Sequence, residues 1–186
     1  HEQAQVANMK KLLQYLTQCA LPDGASVTIT DIDGISTYEE HGALGLAPEW
    51  EYGSLNDLGQ RRVSACLAAR VNAQGKSVRL SVRGMQMEMT GLEIAQFNHA
   101  EGAFWGNLFA TDPQLNVCSG PDGIGISGRE CAEGGCDGID YQGECTVACS
   151  AVDPNDRSCS GCGATGEVSV MTTFLKLDAT KGGGFR

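Results

Sequence analysis

The sequence predicts an α+β fold, with about three helices packed on a small, mostly antiparallel sheet and a disulfide-rich Gly/Cys insertion before the last strand. Three observations support this prediction. Apolar residues recur at helical spacing in some segments, and other segments alternate apolar and polar residues as half-buried strands do. Seven of the nine cysteines lie between residues 118 and 166. Since 41% of the 186 residues are hydrophobic, the chain can form one ordinary core, and we expect a single domain over 1–186.

The first predicted helix ends at the Leu-Pro-Asp-Gly turn, residues 21–24, because the apolar residues before it recur every three or four positions. A second amphipathic helix is predicted over residues 56–73, and Gly75 is suited to cap it in the left-handed conformation. A third is predicted over residues 90–109. Two glycines in its second half weaken that prediction.

The predicted strands are three segments in which apolar and polar residues alternate: 26–30, 76–84 and 167–177. In the second, the valines and the leucine are predicted to face inward and the arginines outward, and three methionines continue the pattern after a glycine. In the last, the inward set changes phase near Met171, which predicts a β-bulge. Each strand therefore has an apolar face for packing.

Two segments lack a sustained period. Residues 35–54 contain several Gly and Pro breaks, and we predict a long loop anchored by Trp50 and Tyr52. Long ordered loops often carry function, so this one is a candidate contact surface. The tail, residues 178–186, is predicted to be loose.

The cysteine content indicates an oxidising compartment, because disulfides persist outside the reducing cytosol. We therefore predict a secreted or periplasmic protein. The seven cysteines of the insertion at 118–166 fit three bridges and one leftover thiol, and an odd total leaves one cysteine for an intermolecular bond. A staple between two helices is predicted to join Cys19 to Cys66, with two buried free thiols as the alternative. The disulfide candidates are Cys19, Cys66, Cys118, Cys131, Cys136, Cys145, Cys149, Cys159 and Cys162.

The spacing of the last four cysteines leaves zinc open as an alternative. Cys145 and Cys149 are separated by three residues, and Cys159 and Cys162 by two. Two such pairs are within the range of a four-thiolate zinc site. Because three more cysteines lie in the same segment, disulfides are the preferred interpretation.

A second zinc arrangement comes from a resemblance. The His-Ala-Glu segment from His99 to Glu101, together with Cys159 and Cys162, resembles the zinc-dependent nucleoside and base deaminases. The resemblance implies that His99, Cys159 and Cys162 would hold zinc and that Glu101 would be the catalytic acid/base. It departs from that family at Ser158, where a proline is expected.

Acidic turns provide the candidate calcium ligands, since calcium prefers several hard oxygens within one loop. Asp31, Asp33 and Glu40 have offsets similar to those of an EF-hand loop, although a strand precedes them where a helix is expected. Ordinary turn chemistry is the alternative for these residues. No other cofactor is predicted.

Charge and hydropathy argue against two classes of partner. The formal net charge is −10, and the chain has no basic patch to neutralise phosphates, so nucleic acid and anionic membrane are not expected. The sequence has no apolar run of about eighteen residues, the length that a membrane span requires. Other proteins or copies of this chain are the expected partners.

Several segments resemble those of a group of secreted, cysteine-rich bacterial proteins of unknown function: CALPDGASVTI, LGLAPEW, RRVSACLAARVN, EGAFWGNLF and the cysteine-rich stretch before a final strand. This resemblance implies export and a single folded unit, and it implies no reaction. The sequence thus predicts a secreted, disulfide-stabilised binding or assembly module with no evident catalytic site. The alternative is a zinc-dependent hydrolase of the deaminase type.

Overall fold

The protein has an α+β fold, as the sequence predicts. Its chain divides into two compact units, residues 1–63 and 64–186, and the single domain over 1–186 stays a prediction. Four α-helices occur in the described part of the chain, slightly more than the three expected. The computed structural model describes residues 2–31, 34–70, 79–85, 87–120 and 138–176.

The first unit combines helices with a hairpin. It contains α1 (Glu2–Ala20), β1 (Ser26–Thr30), β2 (Thr37–His41), a 3₁₀ helix (Pro48–Glu51) and the first half of α2 (Asp57–Arg70). β1 and β2 pair antiparallel, and alternate side chains of both strands are half-buried. The predicted first helix, second helix and first strand are therefore confirmed.

A later segment of the first unit caps the carboxyl end of α1. The last carbonyl groups of a helix have no partner within it. The amide of Leu44 donates to the carbonyl of Gln18 at 2.8 Å, and the amide of Ala47 donates to that of Ala20 at 2.9 Å. Ala20 and Ala47 are fully buried. This segment is thus an ordered part of the unit.

The prediction of one long loop over residues 35–54 is wrong, because β2 and the 3₁₀ helix lie within it. The β2 sequence, Thr-Tyr-Glu-Glu-His, carries little apolar signal, since even its inward side chains are only half-buried. Trp50 is partly buried, but Tyr52 is 85% exposed and does not anchor this segment.

The second unit is built on a five-stranded sheet. The strand order is β3-β9-β4-β5-β6, and every pair is antiparallel except β5–β6, which is parallel. β7 and β8 form a separate antiparallel hairpin. The elements are β3 (Leu80–Arg83), α3 (Gly91–Gln96), β4 (His99–Asn107), β5 (Gln114–Ser119), β6 (Asp140–Glu144), α4 (Cys145–Ala148), β7 (Cys149–Val152), β8 (Cys159–Cys162) and β9 (Met171–Leu175).

The predicted third helix over 90–109 is wrong in its second half. Thr90 does cap a helix, since its side chain accepts a hydrogen bond from the amide of Glu93 at 3.2 Å, but α3 ends at Gln96. The following residues form β4, a strand buried along nearly its whole length. A strand buried on both faces has no polar alternation, so the pattern of apolar residues does not distinguish it from a buried helix.

The predicted phase of β3 is also wrong. Ser81 and Arg83 are buried, whereas Leu80 and Val82 are only partly buried. The strand does not continue through the methionines, because Met85 has a φ of 55° and β3 ends at Arg83. Met85, Met87 and Met89 are nevertheless partly buried while Glu88 is exposed, so the predicted two-residue period persists in their burial. Residues 71–78, including Gly75, lie outside the described part of the chain.

The predicted bulge near Met171 does not occur on β9. The register shift lies on the partner strand instead, between Ala100 and Gly102 of β4. All five residues of β9 are buried, which removes the alternation on which the prediction relied. The tail at 178–186 lies outside the described residues.

Candidate functional site

One row of side chains across the sheet supports the candidate site. Arg83 is opposite Thr172, Thr172 is opposite Ala103, and Ala103 is opposite Cys118. Directly opposed residues point to the same face of a sheet, and all four are buried. Trp105, two residues beyond Ala103, points to this face as well. The cysteine-rich segment packs here.

Two disulfides lie in contact on this face. Cys118 of β5 is bonded to Cys145 at the start of α4, and Cys149 is bonded to Cys162 across the β7–β8 hairpin. The Sγ atoms of Cys118 and Cys149, which belong to different bridges, are 3.9 Å apart. Four sulfurs are therefore gathered in one place, and the predicted disulfide character of the segment is confirmed for these cysteines.

The cysteine-rich segment has a small core of sulfur and aromatic groups. Gly163 packs on the indole ring, because a Cβ there would lie 3.0 Å from Nε1 of Trp105. Its φ of 70° also favours glycine. The buried members of the cluster are Ala103, Trp105, Cys118, Cys145, Cys149, Cys159, Cys162 and Val170. The cysteine-rich segment has few aliphatic side chains of its own. Its core is formed instead by the sheet face and the disulfides.

Cys159 is the free cysteine among the described residues, and its side chain is buried. Its amide donates to Oγ1 of Thr172 at 2.8 Å. Burial raises the pKa of the Cys159 thiol, and a hydrogen bond with Thr172 partly opposes this effect. Because the thiolate is the nucleophilic form, the group is protonated and weakly reactive at neutral pH.

A cleft of about 40 Å³ opens beside this thiol. Cys145, Arg157, Cys159 and Thr172 line it, and its walls are otherwise mostly apolar. That volume holds only a few water molecules. The cleft is therefore lined by a cysteine with a free thiol, a disulfide-bonded cysteine and an arginine.

A buried arginine fixes the loop above the cleft. The guanidinium of Arg83 donates to the carbonyl of Asp156 at 2.7 Å, to the carbonyl of Phe97, and to Oγ of Ser81 at 3.2 Å. It also lies 3.7 Å from the centre of the Phe174 ring. Burial lowers the pKa of Arg83, while the carboxylates of nearby acidic residues oppose that shift. Arginine keeps its charge in proteins, so the site contains a buried cation.

The β7–β8 loop is closed by its own backbone and by a second arginine. The amide of Asp153 donates to the carbonyl of Ser158 at 2.9 Å, and the Asp153 carboxylate accepts from the amide of Asn155 at 2.7 Å. This second bond is the main reason that the pKa of Asp153 is lowered. Arg157, with a φ of 63°, donates from Nη1 to the carbonyl of Asn98 at 2.7 Å. The loop is thereby attached to the start of β4.

Neither zinc arrangement fits the disulfide-bonded protein. Cys162 is bonded to Cys149, so its sulfur is not a thiolate ligand. His99 lies on a strand rather than on the predicted helix, and Glu101 is buried and accepts a hydrogen bond from Oγ1 of Thr173 at 2.8 Å. Within the described residues, no group of three or more His, Cys, Asp and Glu is placed to hold a metal ion.

Two of the candidate calcium ligands, Asp31 and Glu40, belong to the β1–β2 hairpin and its turn. Asp31 forms an ion pair with Lys10, and Glu40 is opposite Val27 in the strand register. Asp33 lies outside the described residues. Calcium binding by these residues stays a prediction, with the Asp31 carboxylate already neutralised by a lysine.

The remaining cysteines divide into two groups. Cys19 and Cys66 are both fully buried and both disulfide-bonded, so the alternative of two free thiols is wrong. Cys131 and Cys136 lie outside the described residues. Disulfides in this number fit a protein that is not exposed to the reducing cytosol. In the parts of the chain described, no helix is long and apolar enough to cross a membrane.

The sequence did not single out three residues that organise the site. The alternating pattern predicts that Arg83 faces outward, and it indicates no role for Thr172. The only local signal for Arg157 was its place after an Asp-Pro-Asn-Asp turn. Their roles depend on strand register, which spacing along the chain does not determine.

Comparisons of the chain with protein-family models, with curated proteins and with solved structures find no match. The function of the protein is therefore inferred from the geometry of the site.

Proposed function

We propose that this protein is an exported assembly module, in which the disulfide-bonded part of the second unit presents apolar side chains to other copies of the chain. The observation that carries the proposal is the exposure of valines in that part. Val147 exposes 83% of its surface and Val168 exposes 66%. Removing these apolar side chains from water favours a contact between copies of the chain.

The backbone that carries these valines is held by covalent bonds. Val147 lies in α4, between Cys145 and Cys149, and both cysteines are bridged. Val168 lies between the bridged Cys162 and the buried strand β9. A contact surface that is already ordered loses less conformational entropy on binding, and this supports a role in assembly.

Export is the second part of the proposal. The described disulfides would be reduced in most cytosolic environments, whereas they persist in the periplasm and outside the cell. A secreted or periplasmic location is therefore consistent with the bonded state of six cysteines: Cys19, Cys66, Cys118, Cys145, Cys149 and Cys162.

Sedimentation velocity of the oxidised protein over a wide concentration range tests the assembly. We expect the sedimentation coefficient to rise with concentration, and we expect Val147→Asp and Val168→Asp to remove the rise. The experiment is done in moderate salt, because the net charge of −10 opposes association at low ionic strength.

Thr165→Asp is the matched control, since Thr165 is exposed, lies near Val168 in the chain and receives the same charge. It should associate like the original protein. A chain that stays monomeric at every concentration contradicts the proposal, and so does a control variant that loses association as fully as the valine variants.

A further inference from the structure

Five cysteines of the second unit form one buried cluster, and they include both a thiol and two disulfides. Cys159 and Cys145 line the same small cleft. On the other side of the first bridge, Sγ of Cys118 is 3.9 Å from Sγ of Cys149 in the second bridge. The free thiol and the first disulfide therefore belong to residues of one cleft, and the first and second disulfides are in contact.

We propose that Cys159 is a resident exchange thiol, which passes its free-thiol state through the two neighbouring disulfides to Cys162. This activity goes beyond assembly and does not depend on it. It is an intramolecular thiol–disulfide exchange, and it converts the cluster between two sets of bridges.

The first step makes one bond and breaks one. The Cys159 thiolate attacks Sγ of Cys145, a Cys145–Cys159 disulfide forms, and the Cys118–Cys145 bond breaks. The electron pair of the broken bond leaves on Cys118, which takes up the proton that Cys159 has lost. The numbers of thiols and disulfides stay the same, so no oxidant or reductant is required.

The second step repeats this chemistry at the 3.9 Å contact. Cys118 gives up its proton, its thiolate attacks Sγ of Cys149, a Cys118–Cys149 disulfide forms and the Cys149–Cys162 bond breaks. The electron pair of the broken bond leaves on Cys162, which takes up the proton. The final state has bridges Cys145–Cys159 and Cys118–Cys149. All five cysteines are members of the same buried cluster, so the exchange requires no second molecule.

The chemical environment makes the exchange slow at neutral pH and faster in alkali. Burial raises the pKa of the Cys159 thiol, so the thiolate fraction at neutral pH is small. Thr172 supplies a hydrogen bond on one side, and Arg157 is the charged residue among those that line the cleft. Below the pKa of the thiol, the exchange rate is expected to rise about tenfold per pH unit, in step with the thiolate fraction.

Bridge mapping of the oxidised protein tests the proposal. The protein is incubated without added thiol or oxygen at a series of pH values, quenched in acid, alkylated in denaturant, digested and sequenced by tandem mass spectrometry. We expect the alkyl label on Cys159 at early times. At alkaline pH, label should then appear on Cys118 and Cys162, with a Cys145–Cys159 bridge, at a rate that is independent of protein concentration.

Cys159→Ser is the control, because it removes the exchange thiol and leaves both described bridges. It should show no new bridges at any pH. Label that stays on Cys159 alone at every pH overturns the proposal, and so does label that moves to Cys131 or Cys136 without reaching Cys118 and Cys162.

A second variant tests the first step alone. Cys118→Ser leaves Cys145 without its partner, and the shared cleft predicts that Cys145 then bonds to Cys159 in an oxidising medium. If both Cys145 and Cys159 remain open to alkylation in the folded variant, the proposed order of attack is wrong. If this variant does not fold, bridge mapping of the protein without substitutions decides whether the exchange occurs. Sedimentation of that protein tests assembly independently.

Discussion

The β1–β2 hairpin and the β7–β8 hairpin have the same antiparallel topology but different supports. β1–β2 has no cysteine, and its alternate side chains are half-buried. β7–β8 is closed by a disulfide between directly opposed residues, Cys149 and Cys162, and its loop is attached by Arg83 and Arg157. The first hairpin depends on strand pairing and packing, whereas the second adds a covalent bond and buried polar contacts.

The largest expected effect is the loss of the covalent bond in β7–β8. Cys149 and Cys162 are 13 residues apart, and closing a loop of that length stabilises the folded chain by about 3 kcal/mol. The double variant Cys149→Ser, Cys162→Ser should therefore lower the free energy of unfolding by about 3 kcal/mol in urea titrations.

Cys159→Ser controls for the chemical change from sulfur to oxygen. It removes a thiol from the same hairpin and breaks no cross-link. We expect it to cost about 1 kcal/mol or less. If both variants lower the free energy of unfolding by the same amount, packing of sulfur, and not loop closure, stabilises this hairpin.

The next effect concerns the buried arginine. Arg83→Met fills a similar volume but removes the donors to the carbonyls of Asp156 and Phe97. Leaving buried acceptors without donors costs on the order of 2 kcal/mol, so we expect the free energy of unfolding to fall by about that amount. Hydrogen exchange should quicken at the amides of Asp153 and Arg157, which close the loop.

Arg79→Met is the matched control, because Arg79 is exposed and lies just before β3. It should change the free energy of unfolding by less than about 0.5 kcal/mol. Unchanged exchange in the 153–158 loop of the Arg83 variant would mean that Arg83 does not hold this loop.

The same contrast explains which parts of the fold could be predicted. β1 was predicted because its face is half-exposed and its alternation survives in the sequence. β4 was predicted as part of a helix, and a bulge was wrongly predicted within the correctly predicted strand β9, because both strands are buried on both faces, where alternation disappears. Burial of Arg83 was not predicted, since its partners are distant carbonyl groups of the backbone.

For the site, the sequence predicted the kind of bond that the cysteines form but not which cysteines are paired. The cysteine count indicated bridges and one leftover thiol, and Cys159 fills that role among the described residues. The pairing of Cys118 with Cys145 and of Cys149 with Cys162 could not be read from spacing, because many connectivities are compatible with the same sequence. The choice is made by strand register and by the β7–β8 hairpin, which exist only in the folded chain.

The smallest expected effect comes from adding a cross-link to β1–β2. Thr28 is opposite Glu39, and both are exposed. The amide of Asp31 bonds to the carbonyl of Ser36, which makes that pair a hydrogen-bonded one. Alternation along the ladder then makes the Thr28–Glu39 pair a non-hydrogen-bonded one, where opposed side chains approach most closely. The variant Thr28→Cys, Glu39→Cys should form a disulfide.

Engineered bridges usually give less than loop closure allows, so we expect this one to raise the free energy of unfolding by about 1 kcal/mol. Thr28→Ser, Glu39→Ser is its control, because it makes the same polar losses, including the bond from Ser26 to Glu39, without a bridge. A gain over this control that disappears on reduction would show that a covalent bond can replace packing as the support of a hairpin in this chain. No gain would mean that strand pairing already restricts β1–β2, and that the β7–β8 bridge is needed because the cysteine-rich segment has so few aliphatic side chains to pack.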